Sequence, residues 1–154
     1  MKLFLMRHGE ASMQAPSDIQ RPLTGRGIAQ TRAVLEKYAN DLSSINTILA
    51  SPYLRAQQTA QLVSEAIGLP VSTMTAITPD GNPGRACDSL FESAVRFGNI
   101  ILITHMPFVG DLSSLLVSGD LLSPEPFMTS QIVMFEAEQV LPGCMVKEKV
   151  FLPY

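Results

Sequence analysis

Two apolar runs constrain this chain more than any other feature: Leu3-Phe4-Leu5-Met6 near the start and Ile100-Ile101-Leu102-Ile103 farther along. Each is short and continuous, the pattern of a strand buried on both faces of a sheet. Each is also followed closely by a histidine. Arg7-His8-Gly9 comes after the first run and Thr104-His105-Met106-Pro107 follows the second, and the chain has 2 histidines in all. Ligands of open α/β sheets bind outside the carboxyl ends of the strands, so the pair marks a candidate site.

The rest of the chain alternates strand and helix. Lys2 to Met6 reads as the first strand and residues 9–22 as a long polar loop containing Pro16 and Pro22. Thr24 is a helix N-cap, with Ile28, Val34, Leu35 and Tyr38 forming an apolar stripe behind it. A second strand spans Ile45 to Ala50, and Ser51-Pro52 reads as a helix start with serine as cap and proline in the first turn. That helix runs to about Ile67, ahead of Gly68 and Pro70 and a short strand from Val71 to Met74. Turn residues fill Thr78 to Gly84, a helix covers about Arg85 to Phe97, and Pro107 opens another to about Val117. A terminal hairpin pairs Gln131–Phe135 with Met145–Phe151 across a turn near Pro142-Gly143. This order predicts a three-layer α/β/α fold with a mostly parallel central sheet and an antiparallel C-terminal hairpin.

Composition bounds the function. With 154 residues the chain is expected to form a single domain over residues 1–154, and 46% hydrophobic against 16% charged residues describes a compact globule. A net charge of −3 without a run of Lys or Arg argues against nucleic acid as the main partner. The apolar stretch before Arg7 is too short for a signal peptide or a membrane span. Cys87 and Cys144 show neither metal-ligand spacing nor a disulfide framework, which fits a reducing cytoplasm. Two histidines without spaced carboxylates make no metal-ligand set, so neither a metal nor another cofactor is expected. There is no coiled-coil seam, and a monomer is expected.

The chemistry around the histidines favours anions. Arginine presents a rigid fork of donors that matches phosphate oxygens. A neighbouring cation keeps a histidine neutral, the form in which it is nucleophilic. Gly9 lets the backbone turn closely around a ligand. An isolated Arg-His-Gly would read simply as a solvated loop. Here Ser51-Pro52-Tyr53-Leu54-Arg55-Ala56-Gln57-Gln58-Thr59 follows the second strand and puts Arg55 in a helix's first turn. There the helix dipole disfavours a cation and attracts an anion. His105 adds a donor at another strand end.

Together, in order, the Arg-His-Gly, Ser-Pro-x-x-Arg-x-x-Gln-Thr and second-histidine segments resemble the histidine phosphatase (phosphoglycerate mutase-like) superfamily. Three further stretches are similar to its short SixA type: Arg7-His8-Gly9-Glu10-Ala11, Asp18-Ile19-Gln20-Arg21-Pro22-Leu23-Thr24, and Thr104-His105-Met106-Pro107-Phe108-Val109-Gly110. The likeness runs from Met1 to about Leu116. It implies a phosphoglycerate mutase-like fold and a covalent phosphohistidine intermediate on His8. In that mechanism Arg7, Arg55 and His105 hold the equatorial phosphoryl oxygens, as transfer requires. The His8 ring would be oriented by a hydrogen bond from its other nitrogen, to a backbone carbonyl. Gly9 and Arg21 are candidate substrate-binding residues, Arg21 either lining the rim or pairing with Asp18.

The same resemblance makes the absence of a clear general acid informative. Some branches of the superfamily place Asp directly after the second histidine, where this chain has Met106. The mutase branch places a Glu between the arginine motif and that histidine. Here the segment from Thr75 to Phe97 offers Asp80, Asp88 and Glu92, which read as an Asx turn and a solvated helix face. Glu10 lies in the nucleophile loop itself. Ester cleavage needs an acid for the departing alkoxide, whereas a phosphorylated histidine expels imidazole far more readily. The expected activity is therefore that of a protein phosphohistidine phosphatase in two-component signalling, acting on a histidine phosphotransfer domain or a phosphocarrier protein. Glu10, Asp18 and Asp80 would form a partner-selecting rim. The alternatives are a small-molecule phosphomonoesterase using Glu10, Asp80 or Asp88 as acid, and a non-catalytic module that binds phosphorylated partners.

Overall fold

The computed structural model describes all 154 residues. Its sheet has six strands: β1 (Lys2–Arg7), β2 (Thr47–Ala50), β3 (Val71–Thr73), β4 (Ile100–Thr104), β5 (Ile132–Glu136) and β6 (Val146–Phe151). Their order is β3-β2-β4-β1-β5-β6. The first four strands run parallel, while β5 and β6 are antiparallel additions, as the alternation predicted. The helices are α1 (Gly25–Lys37), a short α2 (Ala39–Leu42), α3 (Leu54–Ile67), α4 (Pro83–Phe97) and α5 (Phe108–Ser118). None is long and apolar enough to cross a membrane.

The continuous apolar runs serve two cores at once because successive strand side chains face opposite ways. Leu3, Leu5, Ile100 and Leu102 join Leu90 of α4 and Leu112 and Leu116 of α5 on one face. Phe4, Met6, Ile101 and Ile103 join Val34 and Leu35 of α1 and Ala60 and Val63 of α3 on the other. All eight strand residues have no exposed surface. Each such side chain contributes about 1.5–3 kcal/mol of burial, so β1 and β4 are anchored from both faces.

Register places the site. Met6, Ile103 and Ala50 share one row across three neighbouring strands. One step further, the His8 N–H donates to Thr104 O at 3.0 Å and the Ser51 N–H donates to Ile103 O at 3.0 Å. His8, His105 and Ser51 are thus delivered to the same edge by the same ladder.

Several boundaries differ from the sequence expectation. Thr24 caps α1 as predicted, its side chain accepting from Gly27 N. Ser51 does not cap α3, whose first residue is Leu54 and whose N-cap position is Tyr53. Ser51 is still held to the sheet by its backbone, and its hydroxyl is engaged elsewhere, so the helix begins later. The Leu54 N–H is taken by Ile19 O at 3.0 Å, which ties the 9–22 loop to the start of α3. Helix α4 begins at Pro83 rather than Arg85, with Asn82 as its cap. Proline suits a first helical turn because its missing N–H has no partner there. The link between β5 and β6 is longer than a tight hairpin turn, and residues 119–131 form a long loop between α5 and β5.

Candidate active site

The His8 ring, 6% exposed, is fixed from both nitrogens. Nδ1 lies 2.7 Å from Gly9 O, so it carries the proton and donates to that carbonyl. Nε2 therefore has the lone pair, which accepts a hydrogen bond from Arg55 Nε at 3.2 Å. The orienting carbonyl expected from the sequence is present, and it belongs to the glycine of the motif. The loop carrying it is pinned in turn. The Gly9 N–H donates to Thr59 Oγ1 at 3.0 Å, and that hydroxyl donates to Arg55 O. On the other side, the Ser130 N–H lies 3.1 Å from both Arg7 O and His8 O.

Arg55 is nearly inaccessible despite its charge, at 4% exposure. Besides Nε on His8, its NH1 donates to the backbone oxygen of Asp18 at 2.7 Å, and NH2 lies 3.3 Å from Asp18 Oδ2. Arg7 NH1 donates to Phe127 O at 2.9 Å, a contact supplied by the 119–131 loop. His105 is fully buried, with its ring centroid 5.1 Å from that of His8. Its Nε2 sits 2.7 Å from Ser51 Oγ, and the Tyr53 ring packs on it in a T-shaped contact with centroids 5.0 Å apart.

Burial keeps both histidines neutral near pH 7. It pulls His8 down to about 4, with the nearby Arg55 and Arg7 charges adding to the shift and the Gly9 hydrogen bond opposing it. Burial likewise takes His105 to about 3, helped by His8 and Arg55. Arg7 is lowered by burial and then by Arg55. At Asp18 desolvation pushes upward, but hydrogen bonding from Arg21 and the charge of Arg55 outweigh it and hold the carboxyl below its ordinary value.

The structure brings Arg7, His8, Gly9, Arg55 and His105 together. Arg21 makes no hydrogen bond to His8, although its charge is among those that lower the His8 pKa. Its NH1 pairs with Asp18 Oδ1 at 3.2 Å and its Nε donates to Ser12 O at 2.9 Å, so the Asp18 pairing forms, and Asp18 links Arg21 to Arg55. Of the carboxylates considered as acids, Glu10 accepts from Thr24 Oγ1 at 2.9 Å and lies 3.6 Å from Arg26. Asp80 accepts from Thr78 within its turn, and Asp88 and Glu92 are exposed on α4. Asp18 alone of the rim carboxylates bonds to a residue that touches His8.

Sequence reasoning missed Ser51, Thr59, Ser130 and the Phe127 carbonyl as supports. Ser51 and Thr59 stood inside the arginine motif and were available as signals. Ser130 and Phe127 belong to a loop without a motif.

Two buried side-chain polar atoms in the whole chain have no hydrogen-bond partner: Arg7 Nε and His105 Nδ1. Both belong to residues around the His8 ring. Leaving such a group unsatisfied costs about 1–3 kcal/mol. An anion whose oxygens reached both would remove that cost.

Comparison with known proteins points the same way. The family model "Histidine phosphatase superfamily (branch 1)" matches residues 3–78. The phosphohistidine phosphatase SixA of Escherichia coli strain K12 is 35% identical over 136 residues, covering 86% of this chain and 83% of that protein. A SixA homolog of Haemophilus influenzae is 34% identical over 124 residues, covering 73% and 74%. The solved structure of the protein histidine phosphatase SixA complexed with tungstate superposes with a TM-score of 0.89 at 31% identity, covering 99% of this chain and 97% of that one.

Proposed function

The chain belongs to the histidine phosphatase superfamily, and from that premise we propose that it is a protein phosphohistidine phosphatase with His8 as nucleophile. The observation that carries this reading is the pairing of an oriented Nε2 lone pair on His8 with two partnerless buried nitrogens beside it. A phosphoryl group at Nε2 would offer oxygens to Arg7 Nε, His105 Nδ1 and the Arg55 guanidinium. Those donors are fixed before the substrate arrives, which is how preorganised sites stabilise charge in a transition state.

In the proposed reaction the Arg55 Nε–H turns from His8 Nε2 to a phosphoryl oxygen, the freed Nε2 lone pair attacks phosphorus in line, and the N–P bond to the substrate histidine breaks. A substrate ring protonated at its other nitrogen leaves as neutral imidazole. His8 keeps its Nδ1 proton against Gly9 O throughout. Water then attacks the phosphorus, the N–P bond to His8 breaks with its electron pair returning to Nε2, and the water's protons leave with inorganic phosphate. The bond broken in the first step is of the same type as the bond formed, so no side-chain acid is needed. This agrees with the engagement of Glu10 by Thr24 and Arg26 and the exposure of Asp88 and Glu92.

The substrate in this reading is a histidine phosphotransfer domain or phosphocarrier protein of cytoplasmic two-component signalling, met by a monomer in which residues 1–154 act as one domain. Asp18 and Ile19 at the mouth, 57% and 53% exposed, leave room for a protein surface. The test is dephosphorylation of a panel of phosphohistidine proteins by wild type and His8→Ala. An acid-labile phosphoenzyme in wild type and its loss in the variant are expected. Efficient turnover of phosphomonoesters with none on the proteins would overturn the substrate class. Binding without any phosphoenzyme would overturn catalysis.

A further inference from the structure

Ser51 takes no part in the reaction just described, although it is completely buried and its hydroxyl lies 2.7 Å from His105 Nε2. Its surroundings fix where the hydroxyl proton goes. The Tyr53 N–H donates to Ser51 Oγ at 3.3 Å, which uses one lone pair. The only other partner of that oxygen is His105 Nε2. If Nε2 carried a proton, two donors would point at Oγ and the hydroxyl proton would be left without an acceptor in a buried place. If Nε2 carries the lone pair instead, the hydroxyl donates to it and every group is satisfied.

His105 has one ring proton when neutral, so a lone pair at Nε2 places that proton on Nδ1. Nδ1 is the buried nitrogen that has no partner within the protein. The opposite tautomer would present a lone pair there, and a lone pair repels an approaching anion. We propose that Ser51 is a positioning residue: by donating to Nε2 it fixes His105 as the Nδ1–H tautomer and so presets a hydrogen-bond donor for a phosphoryl oxygen. Tyr53 serves the same end twice, its N–H orienting the serine and its ring packing in a T-shaped contact against the imidazole. The inference rests on the reading of the site as a phosphoryl pocket, and it gives the serine of the arginine motif a task other than helix capping.

The test reads the tautomer directly. With 2 histidines in the chain, 15N-histidine labelling gives four ring resonances, and His8→Ala assigns them. In ligand-free wild type at neutral pH, His105 is expected to show a protonated-type Nδ1 and an unprotonated-type Nε2. The Nδ1–H resonance should move on addition of inorganic phosphate. In Ser51→Ala, Nε2–H is expected to gain population, and phosphoenzyme formation from phosphoramidate to slow about tenfold or more, short of the roughly 10²–10³ lost with an oxyanion donor. Ser51→Thr, which keeps the hydroxyl, should restore both the tautomer and the rate. An Nε2–H tautomer in wild type, or an unchanged tautomer in Ser51→Ala, overturns the proposal. The wild-type spectrum decides even where the alanine variant fails to fold. A correct tautomer in a wild-type protein that never forms a phosphoenzyme would instead refute the phosphatase reading and leave the Ser51 assignment standing.

Discussion

Replacing Gly27 by alanine sets two physical effects against each other inside α1. Helix propensity alone favours the change by about 1 kcal/mol, since glycine is the poorer helix former. The structure opposes it. A Cβ on Gly27 would overlap the carbonyl oxygen of Glu10 and lie 2.9 Å from Glu10 N and 3.0 Å from Glu10 C, where ordinary contact begins near 3.4 Å. These are backbone atoms and cannot rotate away. Either α1 or the Glu10 peptide must move by about 1 Å, at an overpacking cost of roughly 1–3 kcal/mol or more. Motion of Glu10 would also strain its hydrogen bond from Thr24 N, now 2.9 Å. Gly25, two residues earlier, provides the control, because a Cβ there meets nothing within 4 Å. The net destabilisation of up to about 2 kcal/mol lowers Tm by up to roughly 8 °C for a chain of this size, while Gly25→Ala should leave Tm unchanged or raise it slightly. Displacement would pass from Glu10 to Gly9 and so to the His8 ring, and a misplacement of about 1 Å can cost on the order of 10²-fold in rate. Differential scanning calorimetry and rapid-quench phosphoenzyme formation measure the two effects. A Gly27→Ala protein as stable and as fast as Gly25→Ala would falsify the claim that α1 buttresses the nucleophile loop.

Two further predictions concern charge. His8 has a folded pKa of about 4 against 6.5 for an unperturbed histidine, so the unfolded chain takes up its proton first as pH falls. The stability contributed by keeping His8 neutral is complete above about pH 6.5 and is lost progressively down to about pH 4, amounting to about 3 kcal/mol. Denaturant titrations across that window should show a shallower pH dependence in His8→Asn, and the wild-type ring resonances should stay in their neutral positions down to about pH 5. Asp18→Ala removes a carboxylate that is 57% exposed, so little stability should change, but Arg55 NH2 and Arg21 NH1 lose a competitor for anions. Calorimetric titration with inorganic phosphate should give several-fold tighter binding, and weaker binding would show that Asp18 holds Arg55 in place more than it competes.

Much of the fold was legible because its strongest elements are local and unambiguous. The apolar runs of β1 and β4 could be buried only on both faces, and the core places their alternate residues against α4 and α5 on one side and α1 and α3 on the other. Legibility failed where a polar residue had two possible partners. Ser51 before Pro52 satisfies every local rule for a cap, yet its hydroxyl bonds to His105, which is 54 residues away in the chain. Helix α4 starts earlier than its sequence predicts for a related reason: Asn82, Pro83 and Gly84 suit either a turn or a first helical turn, and propensity alone does not separate them.

The same distinction divides the site. Arg7, His8, Arg55 and His105 could be read because each follows a strand end or opens a helix, and sheet register then brings them together. The Asp18 contact with Arg55 could not be read in advance, since it depends on the fold of the whole 9–22 loop. The Phe127 carbonyl was less accessible still, because a backbone oxygen carries no sequence signature at all. Yet this carbonyl accounts for one Arg7 nitrogen, while Arg7 Nε stays buried without a partner. Motifs therefore identify the groups that do chemistry, whereas the contacts that use up their other hydrogen-bonding positions are set by tertiary structure. What makes this an anion site is the remainder: after the carbonyls of Gly9, Asp18 and Phe127 and the hydroxyl of Ser51 have taken their shares, two buried nitrogens are left without partners, and both belong to residues surrounding His8.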